Sequence, residues 1–162
     1  MLTINIICVG KIKETYLKDA IAEYSKRLSK YCKLNIIELP DEKIPEKLNI
    51  TLSEDIKEKE CTNIYKHLPK DTYTICLDLK GQQLSSEEFS KNIDTLSLIT
   101  SSITFIIGGS LGITPKLKNS CKQSICFSKM TFPHQLIRVF LLHVSNNYAN
   151  LKRKHKQKLR NL

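Results

Sequence analysis

Two short stretches near the end of this 162-residue chain hold the residue types that build a ligand cradle: Phe-Ile-Ile-Gly-Gly-Ser-Leu-Gly at 105–112 and Phe-Ser-Lys-Met-Thr-Phe-Pro-His-Gln at 127–135. Each follows an apolar run that reads as a buried strand. Adjacent glycines at 108 and 109 let the backbone turn sharply and leave a ligand room to approach main-chain amides and carbonyls. The chemistry available beside them is limited. No Asp or Glu follows Asp94, so a reaction centred in this half has His134, His143, His155 or water as its proton acceptor. Such a site suits a reaction whose electrophile carries its own leaving group, and methyl transfer from a sulfonium cofactor, S-adenosylmethionine, meets that condition.

Other chemistries lose ground on motif. The first strand ends Val9-Gly10-Lys11, with one glycine where a dinucleotide fingerprint needs three, and there is no Walker loop, Gly-x-Ser-x-Gly elbow or His-Glu-x-x-His. The six cysteines at 8, 32, 61, 76, 121 and 126 form no Cys-x-x-Cys pair, which argues against a metal site and for a reducing compartment. No apolar run is long enough for a membrane span and no secretory leader is evident, so a cytoplasmic location is expected.

Charge is divided by position. Residues 1–94 carry fifteen basic and sixteen acidic side chains, whereas 95–162 carry eleven basic and none acidic, ending in Lys152, Arg153, Lys154, Lys156, Lys158 and Arg160. A field of that shape gathers polyanions, and RNA phosphates are the partner it fits best. Arg138, Lys152, Arg153 and Lys154 are the candidate RNA contacts, with Lys129 facing RNA or a partner subunit. The tail has few apolar residues and reads as a segment that orders on RNA.

The elements that must position these loops alternate. Strands are expected at 3–9, 34–39, 72–79, 102–107 and 124–127, with a turn at Gly81. Helices are expected after Gly10, with Leu17, Ile21, Tyr24 and Leu28 on one face, from Ser53 to about 66, from the Ser85/Glu88 cap to about 96, and from Pro133 with Leu136, Val139, Phe140 and Val144. This rhythm implies one α/β domain over 1–162, a mainly parallel sheet with helices on both faces, and ligands at the carboxyl ends of the strands, where both loops lie.

Leu77-Asp78-Leu79-Lys80-Gly81, Ile106-Ile107-Gly108-Gly109-Ser110-Leu111-Gly112 and Phe127-Ser128-Lys129-Met130-Thr131-Phe132-Pro133-His134-Gln135-Leu136-Ile137-Arg138 strongly resemble the bacterial large-subunit rRNA pseudouridine N3-methyltransferases, small SPOUT-class enzymes. The opening Val9-Gly10-Lys11-Ile12-Lys13 and the Pro40-Asp41-Glu42-Lys43 segment are similar too, and the resemblance spans roughly residues 1–142. It implies a C-terminal deep trefoil knot, a homodimer, and S-adenosylmethionine held by Leu77, Gly108, Phe127, Ser128, Lys129, Met130, Thr131 and Phe132. It also implies a pseudouridine of 23S rRNA in the assembled 70S ribosome as substrate. His134 and Arg138 are the catalytic candidates, Arg138 by meeting a phosphate or the cofactor carboxylate. From about residue 143 the chain departs from the family, which continues with a Glu-Gln-hydrophobic-Tyr-Arg-Ala helix and ends in a Tyr-His pair; here Tyr148 and His155 are the only stand-ins, at another spacing. Two alternatives follow: an RNA- or ribosome-binding protein that keeps the cofactor pocket without catalysis, or a tRNA methyltransferase.

Overall fold

The computed structural model describes residues 1–160. In chain order the elements are β1 (Thr3–Val9), α1 (Thr15–Leu28), β2 (Lys33–Leu39), α2 (Ile50–His67), β3 (Tyr73–Gln83), α3 (Ser86–Ile99), β4 (Ser102–Ile107), α4 (Pro115–Ser120), β5 (Gln123–Cys126) and α5 (His134–Arg160). The strands form one sheet in the order β2-β1-β4-β3-β5, with every neighbouring pair parallel.

Strand periodicity sorts the core into two layers. Ile4, Ile6 and Cys8 of β1 face one way, with Phe105, Leu28 of α1, Phe89 and Ile93 of α3, and Leu141 and Leu142 of α5. Ile7 and Val9 face the other way, with Ile106, Cys61 and Ile64 of α2 and Leu117 of α4. Helices therefore cover both faces, as a parallel sheet requires. Register is pinned at the amino end by a polar ladder: Asn35 Nδ2 donates to Asn5 Oδ1 at 2.8 Å, Asn5 Nδ2 donates to Ser102 Oγ and Thr104 Oγ1 at 3.2 Å each, and the Thr72 and Thr104 hydroxyls meet at 2.7 Å. A one-residue slip would turn these groups to the other face and orphan them.

Four local expectations need correction. Gly81 is not in a turn; β3 continues through it with a register shift between Leu77 and Gln82, and a Cβ at Gly81 would lie 2.7 Å from the Ile125 carbonyl carbon. Glycine is needed there for close backbone approach to β5. Helix α2 starts at Ile50, because Asn49 accepts from the Leu52 amide at 2.8 Å and caps the helix ahead of Ser53. The six-residue α4 had no counterpart in the sequence reading; it rests on a Thr114 cap, Pro115 in its first turn and the buried Leu117. The basic tail is ordered as the end of α5.

Candidate functional site

At the carboxyl ends of β4 and β5, beside the middle of β3 where its register shifts, the chain forms an open cavity of about 720 Å³. Its walls are Leu77, Asp78 and Leu79 from β3, residues 107–113 after β4, residues 125–128 and 130–134, and Ile137. Leu77, Gly108, Phe127, Ser128, Met130, Thr131, Phe132 and His134 thus share one site, while Lys129 and Arg138 are not among its walls.

The glycine loop is shaped by its own backbone. The Gly112 amide donates to the Gly109 carbonyl at 3.0 Å, closing a tight turn, and Gly112 adopts φ +83°, which a side chain would resist. A Cβ on Gly108 would stand 2.8 Å from Ile113 Cγ2 and 3.0 Å from the Gly112 carbonyl carbon. The second loop is braced by Ser128 Oγ, which accepts from the Met130 amide at 3.0 Å, and by Phe132 packed edge-on against Phe140 with centroids 5.4 Å apart.

Carboxylates reach this region from the other half of the chain, which counting by position could not reveal. Asp78 lines the cavity and is ion-paired with Lys118. Glu60 of α2 is buried behind the glycine loop: its Oε1 accepts from the Glu42 amide at 3.1 Å, its Oε2 has no partner, and Oε2 would lie 2.8 Å from a Cβ on Gly109. Burial pushes the Glu60 carboxyl up from its ordinary pKa, against the pull of the Glu42 amide. His134 is half-buried, and burial and then the Arg138 cation hold it below its ordinary pKa, opposed by Asp41.

A family model described as Predicted SPOUT methyltransferase matches residues 2–144. The chain belongs to the SPOUT methyltransferase family. It is 56% identical over 142 residues, covering 87% of this chain and 89% of the relative, to a Clostridium botulinum protein named Ribosomal RNA large subunit methyltransferase H. A Clostridium acetobutylicum protein of the same name is 55% identical with the same coverage. Among solved structures, a probable methylase family protein from Haemophilus influenzae superposes with a TM-score of 0.56 at 10% identity, over 94% of this chain and 69% of that one. The Aquifex (A. aeolicus) TrmH/SpoU tRNA modifying enzyme gives 0.51 at 10% identity, over 92% and 76%. These two structures support the fold.

In this SPOUT methyltransferase Arg138 faces inward. It is 2% exposed; its Nη1 donates to Glu38 Oε2 at 2.8 Å and its Nη2 to the Val9 and Gly10 carbonyls at 2.9 and 2.7 Å. With both terminal nitrogens engaged at the end of β1 and its Nε buried without a partner, it is corrected from an RNA or cofactor contact to a clamp between α5 and the sheet. Lys152 is also not a free cation: it pairs with Asp94 at 2.6 Å and lies over the Tyr148 ring. Arg153 and Lys154 are exposed, as are Lys156, Lys158 and Arg160.

The tail of this methyltransferase lies far from its own cavity. Arg153 is on the same continuous helix as His134, about 28 Å along its axis at 1.5 Å per residue. Together with Met1, Lys30 and Ser101 it borders a second hollow, of about 1020 Å³, at the amino end of the sheet. Tyr148 is 3% exposed in the core. Neither it nor the exposed His155 reaches the first cavity of its own chain, so the Tyr-His stand-in fails within one protomer.

Proposed function

We propose that this chain methylates N3 of a pseudouridine in 23S rRNA of the assembled 70S ribosome, using S-adenosylmethionine, as a cytoplasmic homodimer with a knotted C-terminal region. The observation that carries the reading is the convergence of the loops after β4 and β5 and the middle of β3 on one cavity in a chain 56% identical to a protein named Ribosomal RNA large subunit methyltransferase H.

The walls fit the cofactor. A hollow of about 720 Å³ is of ligand size. Leu77, Ile125 and Phe127 offer apolar faces for a purine, while the backbone of 107–113 and the hydroxyls of Ser128 and Thr131 offer polar groups for the ribose and methionine portions. When bound, the sulfonium supplies an activated methyl group, so these residues need only bind, orient and exclude water. Lys129, exposed beside the cavity, is assigned to RNA or the partner subunit.

The knot is supported by the path of the chain: β5 is the edge strand beyond β3, yet α5 starts against Val9 and Gly10 of β1, so residues 127–133 cross the carboxyl ends of the intervening strands. The dimer is supported by the apolar surface left open in this part of the chain: Met130 is 70% exposed, and Leu136, Val139 and Phe140 are partly exposed. For RNA contact, Arg153 and Lys154 remain, joined by Lys156.

The deciding experiment is transfer of labelled methyl to intact ribosomes from cells lacking the modification, with protein-free rRNA and tRNA in parallel. Label confined to large-subunit RNA of the intact ribosome is expected. The burial of Tyr148 favours a second reading, a binding protein without catalysis; folded protein that labels no substrate would establish that one, and label in tRNA would replace both.

A further inference from the structure

The imide proton on the substrate nitrogen must leave during transfer, and the fold brings together a pair suited to take it. Gly10 follows β1 with φ +93°, and a Cβ there would stand 3.4 Å from His134 Nε2, 3.7 Å from Arg138 Nη2 and 3.9 Å from Asp41 Cγ. Side chains from α5 and from the segment after β2 thus approach one bare stretch of backbone without an ion pair between His134 and Asp41, and His134 is at the same time a wall of the cavity. Arg138 is committed to Glu38 and two carbonyls, which leaves His134 and Asp41 as the pair free to act.

We propose that His134 accepts the proton from the substrate nitrogen and that Asp41 is the positioning residue for the imidazolium so formed. The inference rests on the reading of the chain as a base N-methyltransferase. The N–H bond breaks with its proton passing to the His134 ring; the nitrogen lone pair forms the new bond to the methyl carbon; the electrons of the broken C–S bond stay on sulfur as a neutral thioether. The positive charge lost at sulfur reappears on His134, beside Asp41. Asp41 is exposed, so the proton has a route onward to solvent.

The surroundings suit both halves of this task. Burial, and then Arg138 from α5, favour the neutral ring that can accept a proton; Asp41, from the segment after β2, favours the charged ring that results. Glu38 of β2 faces this group only through Arg138, whose charge it offsets. The first turn of α5 adds a further bias to the neutral form.

The test uses the full chain. In cofactor-free protein, NMR titration of His134, assigned by loss of its signal in His134→Gln, should give a pKa at least about 0.5 lower in Asp41→Asn and restored in Asp41→Glu. On ribosomes, His134→Gln should lower kcat by about 100-fold or more with KM within about threefold. Asp41→Asn should lower kcat by roughly tenfold and move the acid limb of the pH profile to lower pH. An unmoved His134 pKa in Asp41→Asn overturns the pairing, and a kcat within about threefold of wild type in a folded His134→Gln overturns the acceptor. A wild-type chain that methylates no RNA overturns the functional reading and the acceptor with it, while the titration still decides the pair.

Discussion

Replacing Arg138 with alanine should be among the costliest single changes in this protein. The guanidinium is 2% exposed and makes three polar contacts of 2.7 to 2.9 Å, to Gly10, Val9 and Glu38. A hydrogen bond to a charged group contributes about 1.5–3 kcal/mol. The Glu38 side chain is 36% exposed, so its share is discounted to under about 1 kcal/mol. The two carbonyl contacts lie at the carboxyl end of β1, and removing their donor orphans them inside the junction of β1 and α5. The expected loss is about 3–5 kcal/mol, partly offset by any water admitted to the vacated space. With a urea m-value of about 2 kcal/mol/M, the midpoint should fall by about 2 M. Glu38→Gln should cost only about 1 kcal/mol, because the amide oxygen can still accept from the Ile12 amide that now donates to Glu38 at 2.8 Å. Unfolding followed by circular dichroism at one fixed protein concentration measures both. An Arg138→Ala loss below about 1 kcal/mol, or a Glu38→Gln loss that equals it, would refute the assignment of the clamp to the carbonyls.

Three further outcomes are expected. Gly108→Ala would force a Cβ to 2.8 Å from Ile113 Cγ2, so calorimetric affinity for S-adenosylmethionine should drop at least about tenfold with the fold retained. Burial raises the folded-state pKa of Glu60, so the native state holds its proton to higher pH than the unfolded chain and stability falls as pH rises through that interval. Glu60→Gln should therefore stabilise the protein at pH 7, with the gain fading below pH 4.5 where the wild-type carboxyl is protonated in both states; a constant gain across thermal melts at both pH values would contradict this. Converting Arg153, Lys154 and Lys156 together to Gln should reduce the salt slope of ribosome binding by about 2–3, and Lys152→Gln should change it by much less, since Asp94 already neutralises that cation.

Much of this architecture was legible because its signals are local. The Ser85/Glu88 capping box, with contacts of 3.1 and 2.7 Å, and the apolar runs of the five strands could be read directly from residue order. Gly81 could not, since a turn glycine and a glycine that admits a neighbouring backbone look alike until the partner strand is known. For Arg138 a signal existed: it shares helical spacing with Leu141, Leu142, Ser145 and Ala149, all buried, whereas the expected stripe of Leu136, Val139, Phe140 and Val144 is only half-buried. The loops of the cavity were legible as motifs. The carboxylates behind it were not, because parallel topology brings Asp41, Glu60 and Asp78 to one end of the sheet from distant positions in the chain.

Helix α5 is two materials in one rod. As far as Ala149 it carries buried residues at regular intervals, and beyond that point every side chain from Arg153 to Arg160 is exposed. The first portion is held by shape, since each residue must fit neighbours on α1 and α3. The second answers only to helix propensity and net charge, so many sequences would serve there equally well. The match to the family ends at residue 144, and the buried Ser145, Tyr148 and Ala149 lie between that point and the exposed run. A lineage can therefore rewrite the far end of this helix, and with it the surface offered to a large assembly, without touching the stability of the fold or the walls of the cavity.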